Sequence, residues 1–257
     1  MCYYLGMGKT YVFVNQKGGV GKTTSAINIG AFMALSGKKV LMVDFDSQGN
    51  MSSGLGISKE HPNVYELING ENEPKDCIRR TNVKNMDAIG AAIDFANAAV
   101  ELAKDTAGRE FRLRDALVPL KNEYDYILID CPPSLGLLTL NGLAASDSIL
   151  VPMQCEYFAL EGISLLRQTV QQVQKSINPE LKIGGIFFTM YAKTILAQEV
   201  IKRVKERFPD EVLETVIPRN VRLSESPSHG LPICEYDPSC VGAKSYKKLA
   251  EEVMSRG

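Results

Sequence analysis

The 257-residue chain has no tryptophan and no excess of either charge: 29 lysines and arginines stand against 30 aspartates and glutamates, a net charge of −1. That balance excludes a constitutive polyanion binder of the strongly basic kind, so any contact with nucleic acid has to be local or conditional. No apolar run approaches the roughly 18 residues that a membrane-crossing helix needs, and stretches such as residues 126–129 are strand-sized. The opening MCYYLGMGKT lacks the charged start and the long apolar middle of an export signal. A soluble chain that is not exported is therefore expected. Six cysteines, Cys2, Cys77, Cys131, Cys155, Cys234 and Cys240, include no CxxC pair, which fits reduced cytoplasmic thiols. No repeat, low-complexity tract or Pro/Gly/Ser linker divides the chain. The expected organisation is a flexible extension over residues 1–9, in which Met7 would serve as a start as well as Met1, and one domain over residues 10–257.

What is present is the composition of an ordinary globular protein, 45% hydrophobic and 23% charged. Short β-rich runs alternate with longer helical stretches, the rhythm of an α/β fold with a mostly parallel sheet flanked by helices. Strands are expected at residues 10–15, 39–44, 126–130, 148–153, 183–189 and 212–217. Helices are expected at residues 22–36, 91–103, 110–120, 157–175, 196–208 and 242–254. The helix from Lys22 is apolar nearly all round, with Ala26, Ile27, Ile29, Ala31, Phe32, Met33, Ala34 and Leu35, so it should lie buried beside the sheet. Residues 54–90 are the least regular and read as a decoration on the core.

After the first strand comes Lys17-Gly18-Gly19-Val20-Gly21-Lys22-Thr23-Thr24, then the buried helix: the strand, glycine loop and helix that a phosphate cradle requires. Glycines let backbone amides turn inward, and with the positive end of the helix they suit a triphosphate. Lys22 can reach the β and γ oxygens and Thr23 can ligate Mg²⁺. The usual GxxxxGK pattern would place glycine where Gln16 stands, so the loop is a variant, and it carries an additional lysine, Lys17. The second strand ends in Asp44-Phe45-Asp46-Ser47-Gln48-Gly49-Asn50, two acids at spacing two beyond the carboxyl edge where α/β sheets bind ligands. One can face the metal and the other an attacking water. The third strand, Tyr126-Ile127-Leu128-Ile129, closes on Asp130, which suits the Mg²⁺ shell, often through water.

With KGGVGKTT, DFDSQGN, YILIDCPPSLG, Ile217-Pro218-Arg219-Asn220-Val221-Arg222 and Tyr236-Asp237-Pro238 in order, the chain from about Met7 to its end resembles the ParA/Soj family of DNA-partitioning ATPases. The resemblance implies a phosphate-loop fold of the deviant Walker A type, binding of ATP and Mg²⁺ and ATP hydrolysis. It further implies a nucleotide-sandwich homodimer, nonspecific DNA binding in the ATP state and release by a ParB-type activator, hence chromosome or plasmid segregation in the cytoplasm at the nucleoid. By motif, Gly18, Gly19, Val20, Gly21, Lys22, Thr23 and Thr24 would cradle the phosphates, and Lys17 would reach the other subunit's nucleotide. Asp46 would position the hydrolytic water, making it catalytic with Lys17 and Lys22. Thr23, Asp44 and Asp130 would form the Mg²⁺ shell, Pro218 and Asn220 would lie against adenine, and Lys193 and Arg222 would contact DNA. Two positions depart from the family's pattern: Ser47 replaces proline, and Ala192-Lys193-Thr194 replaces an acid-x-Arg-Thr stretch. Lys193 keeps the charge but loses arginine's fork.

Other readings compete. The deviant loop also resembles that of MinD-type division ATPases, which bind membranes through a C-terminal amphipathic helix, but YKKLAEEVMSRG is poor in apolar residues. A redox ATPase resembling nitrogenase iron protein would need paired cluster cysteines, of which Cys131 is the one suggestive position. A third reading is a nucleotide-gated DNA-binding regulator whose turnover is incidental. Lys244, Lys247 and Lys248 share one face of the last helix and either extend a DNA surface or are a solvated face.

Overall fold

The computed structural model describes residues 7–104, 107–157 and 159–256. Most of the expected extension, residues 1–6 with Met1 and Cys2, lies outside the described residues, and Lys9 already belongs to the first strand. Among the described residues the strands are β1 (Lys9–Phe13), β2 (Val40–Asp44), β3 (Ile78–Arg80), β4 (Met86–Ile89), β5 (Tyr126–Asp130), β6 (Ser148–Gln154) and β7 (Lys182–Thr189). They form one sheet in the order β3-β4-β2-β5-β1-β6-β7. All neighbours run parallel except the β3/β4 pair. The helices are α1 (Lys22–Leu35), α2 (Asn50–Gly54), α3 (Val64–Asn69), α4 (Ala98–Lys104), α5 (Arg112–Leu117), α6 (Leu137–Ala145), α7 (Ala159–Ser176), α8 (Ile195–Arg207), α9 (Val221–Glu225), α10 (Ile233–Tyr236) and α11 (Val241–Arg256).

Alternation along the strands divides the core in two. Val12, Leu41, Ile127 and Ile129 point to the face covered by α5 to α8, through Leu117, Leu143, Leu166 and Val204. Phe13, Met42 and Leu128 point to the face covered by α1 and α11, through Ile29, Tyr246 and Leu249. Helix α1 is sandwiched between the sheet and α11, which explains why its sequence shows no polar stripe. The Tyr246 hydroxyl, with no water to reach, pairs with Ser25 Oγ at 3.0 Å.

Three expectations change. Residues 54–90 do not merely decorate: they supply β3 and β4, and β4 pairs with β2 from Val40↔Met86 to Val43↔Ile89. Residues 212–217 do not form a strand. Val212 bridges Ile186 and Pro218 bridges Tyr191, but between them the Glu214 and Thr215 amides donate to the Glu252 carboxylate of α11, at 2.7 and 3.0 Å. Leu213 and Ile217 still donate to the Ile186 and Phe188 carbonyls of β7, each at 2.8 Å, but a side chain from the neighbouring helix has taken the Thr215 donor between them and the ladder is interrupted there. The helices expected over 91–103 and 110–120 are each part 3₁₀, at Ile93–Asn97 and at Val118–Asn122, the latter with Pro119 near its start.

Helix α6 approaches the sheet through Gly142, where an added Cβ would sit 2.6 Å from Cys131 Sγ and 3.1 Å from Val12 Cγ2. Ala in place of a helical glycine ordinarily gains up to about 1 kcal/mol, but overpacking of a tight core costs about 1–3 kcal/mol. Gly142→Ala should therefore lower stability in chemical denaturation, and adding Cys131→Ala, which removes the clashing sulfur, should recover part of the loss.

Candidate functional site

The phosphate-cradle sequence occupies the turn from β1 into α1. Gly19 and Gly21 have φ of +71° and +85°, the left-handed region that glycine adopts without penalty. A Cβ on Gly18 or Gly19 would meet nothing within 4 Å, so the loop presents bare backbone to open space at the positive end of α1. From behind, the ends of β6 and β7 hold the loop in place. The Thr189 hydroxyl donates to the Val20 carbonyl at 2.7 Å and lies 3.2 Å from that of Met153. The Gln154 side-chain amide donates to the Gly19 carbonyl at 2.9 Å. Neither Thr189 nor Gln154 was legible as a site residue: the signal was a polar side chain closing an apolar strand, which many strands show.

The loop's two lysines part company. Lys22 is 7% exposed, and its ammonium lies 3.5 Å from the Lys17 carbonyl. Burial lowers its pKa, while the carboxylates of Asp130 and Asp46 hold it up. Lys17 stands in solvent, its side chain half exposed, and its ammonium pairs with Glu156 beyond the end of β6.

Three acids converge at the carboxyl edge. Asp44 and Asp130 end adjacent strands and are register partners, both essentially without exposed surface, and Asp46 is 9% exposed. Asp44 Oδ2 accepts from the Ser52 amide at 2.8 Å and the Ser52 hydroxyl at 2.6 Å. Burial nonetheless pushes its carboxyl up to about 6. Asp130 is pushed up to about 8, first by burial and then by the Asp44 charge, with the Thr23 hydroxyl and the Lys22 ammonium acting the other way. Its Oδ1 is buried and has no hydrogen-bond partner. Asp46 Oδ1 accepts from the Gln48 amide at 3.1 Å, which holds the turn after β2.

This donor set fits a hard divalent cation. Mg²⁺ takes oxygen ligands, keeps several waters and is usually held by one or two carboxylates together with substrate phosphates. Thr23 and the unpartnered Asp130 oxygen supply such oxygens beside the phosphate loop. Among the described residues no three His, Cys, Asp or Glu side chains cluster tightly enough to hold a metal by themselves, so a cation here would need further oxygens, such as those of phosphates and water. Cys131 follows Asp130 but lies buried beneath Gly142, and burial raises its thiol well above the usual range.

Beside the loop opens a cleft of about 380 Å³. Pro218 and Asn220 line it together with Gly21, Thr24, Met190 and Tyr246. Met190 follows β7 in a left-handed conformation, φ +51°. The Asn220 side chain also accepts from the Arg222 amide and caps α9. Lys193 is exposed in the loop before α8, two residues past the Tyr191 that bridges Pro218. Arg222 is half exposed and already paired, with Glu225 at 2.9 Å and Asp237 at 3.6 Å.

Comparison with known proteins agrees with this geometry. A family model described as an AAA domain matches residues 8–183. The chromosome-partitioning ATPase Soj of Treponema pallidum is 61% identical over 97% of this chain and 98% of that protein. The sporulation initiation inhibitor protein Soj of Bacillus subtilis is 54% identical over 98% of this chain and 100% of that protein. Among solved structures, cobyrinic acid a,c-diamide synthase from Mycobacterium smegmatis with bound ADP and magnesium superimposes with a TM-score of 0.83 at 37% identity, covering 96% of this chain and 94% of that one.

The raised acids set the pH response of the protein free of nucleotide and Mg²⁺. Asp130 and Asp44 hold protons in the folded state at pH values where the unfolded chain, with carboxyls near 4, has lost them. Their contribution is fully present below about pH 4 and is lost as pH rises towards about 8. Denaturant midpoints in EDTA should fall between pH 5 and pH 8, and Asp130→Asn should flatten that slope by more than about 1 kcal/mol.

Proposed function

We propose, from the premise that this chain belongs to the ParA/Soj family of chromosome-partitioning ATPases, that it is a nucleotide-gated switch which pairs on ATP, binds DNA nonspecifically as a pair and is released by hydrolysis. The chain is an ATP hydrolase with ATP and Mg²⁺ as its ligands. The observation that carries the switch reading is the separation of the two loop lysines. Lys22 is buried where its own subunit's phosphates would lie, whereas Lys17 stands in solvent and pairs with Glu156. A lysine so exposed at the start of the loop supports a role in completing the charge balance of a nucleotide held by a second copy.

In this reading Gly18, Gly19, Val20, Gly21 and Thr24 surround the phosphates, and Pro218 and Asn220 meet the base in the adjoining cleft. Lys22 neutralises the β and γ oxygens. Bound Mg²⁺ supplies further charge neutralisation, with Thr23, Asp44 and Asp130 as its protein side. Asp46, next to the metal-side acids yet partly accessible, orients the attacking water. A tetra-anion between two subunits favours the pair, and loss of the γ-phosphate removes that preference.

Lys193 and Arg222 form the proposed DNA contact of each subunit. The exposed face of α11 adds Lys244, Lys247 and Lys248. Its apolar face, Tyr246, Leu249 and Val253, is packed into the core and so is not free for a bilayer. Pairing doubles these contacts, which makes the interaction multivalent and salt-sensitive. A ParB-type activator would trigger release, and the proposed setting is the cytoplasm at the nucleoid.

Binding to nonspecific duplex DNA, measured with ATP, with ADP and without nucleotide at two salt concentrations, tests the reading. Salt-sensitive binding confined to ATP is expected, and no binding in any state while ATP is still bound overturns it. Lys17→Ala should keep nucleotide binding yet lose ATP-dependent pairing in light scattering. Arg222→Glu should pair normally and lose at least about ten-fold in DNA affinity at matched salt.

A further inference from the structure

Ser52 has no exposed surface, and its two donors converge on one carboxylate. Its hydroxyl donates to Asp44 Oδ2 at 2.6 Å, and its backbone amide donates to the same oxygen at 2.8 Å. The hydroxyl also accepts from the Ala91 amide at 3.0 Å, just beyond the end of β4. Asp44 Oδ1, by contrast, has one long contact, 3.4 Å from the Asp46 amide. Thus one oxygen of Asp44 is fully engaged and the other is left with capacity to spare.

A buried carboxylate beside the Asp46 charge is repelled by it, and a single bond rotation would exchange its oxygens. Two donors from one residue remove that freedom. The Ala91 amide in turn orients the hydroxyl: by filling one of its lone pairs, it directs the O–H towards Asp44. We propose that Ser52 is a positioning residue of the Mg²⁺ site, fixing Asp44 so that Oδ1 is the oxygen offered to the cation or to a water bound to it. The inference rests on the reading of Asp44 as a metal-side acid. It also gives α2 a purpose: this five-residue helix delivers the two donors, and it does so within six residues of Asp46, so the metal side and the water side of the site are built on one short segment.

A purely structural serine, tying α2 to the end of β4, makes a different forecast, since its removal would weaken nucleotide binding with and without metal alike. The test is a Mg²⁺ titration of the full chain with a fluorescent ATP analogue, and the same analogue binding in EDTA. Outer partners of metal ligands typically change metal affinity by about 10–100-fold. Ser52→Ala should raise the Mg²⁺ midpoint at least about ten-fold, with binding in EDTA within about two-fold of the parent. Ser52→Thr, which keeps the hydroxyl, should stay near the parent midpoint. Should Ser52→Ala fail to fold, Ser52→Cys, similar in size but a weak donor, is measured in its place against the same expectation. An unchanged midpoint in the hydroxyl-free variant while Asp44→Asn raises it overturns the role of Ser52. Equal weakening with and without Mg²⁺ does so as well. An unchanged midpoint in Asp44→Asn overturns the reading of Asp44 beneath it.

Discussion

Two carboxylates end neighbouring strands at the same level, Asp44 opposite Asp130, and both are sealed from water. Charge placed there is costly unless it is paired, and much of the surrounding structure answers that cost. The positive end of α1 is aimed at the same edge, which requires α1 to lie flat beneath α11 and hence to be apolar all round. Lys22 is drawn inward against its own desolvation by the carboxylates of Asp130 and Asp46. Ser52 supplies two donors to Asp44, and Thr23 acts on Asp130. These contacts are not sufficient, since one Asp130 oxygen has no partner. Without nucleotide, a proton makes up the difference. In the proposed reading, Mg²⁺ held by Thr23, Asp44 and Asp130 would supply that charge instead, and loading the site would be coupled to proton release.

That coupling explains why a site so close to the core is built on glycines and short turns instead of long side chains. A rigid apolar wall behind the acids sets their spacing, and a loop pinned by Thr189 and Gln154 sets the cradle. The strand ends contribute position and the loop contributes bare backbone. Lys17 is the exception, a long cation at the rim held by one surface ion pair. Exposed pairs of that kind are worth at most about 1 kcal/mol, so Lys17 is free to leave Glu156 for a stronger anion without disturbing the fold.

The legible parts were those in which one chemical pattern had one structural outcome. Residues 126–130 were read to the residue, because an uninterrupted apolar run closing on an acid admits little else between two helix layers. The α1 start at Lys22 followed from the glycine turn. Strands β3 and β4 were not legible: IRR and MDAI show neither a long apolar run nor clean alternation, and β4 is a strand because β2 offers it an edge. Residues 212–217 fail the other way. VLETVI looks like a strand by composition, yet Glu252, thirty-seven residues beyond Thr215, captures the Glu214 and Thr215 donors in its middle. Within the site the motifs marked Lys22, Asp44, Asp46 and Asp130, which converge at the edge, but not Glu156, the partner of Lys17. They were silent on Ser52, Thr189 and Gln154, whose roles arise from what they face, which local sequence does not encode.

In the proposed reading, a net charge of −1 is a requirement as well as a constraint. A switch that binds DNA in one state must bind poorly in the other, so each subunit's own contact has to be weak. Arg222 meets that condition, because its guanidinium already has two carboxylate neighbours, Glu225 and Asp237, and a DNA phosphate has to compete with them. Lys193 supplies a point charge without a fork. A pair of subunits squares a weak affinity up to the effective concentration set by their rigid connection, so a modest single contact becomes a usable double one. A strongly basic subunit would remain bound after the pair came apart, and hydrolysis would then release nothing. The balance of charge read first from the composition is therefore the feature that lets the phosphate site control the surface.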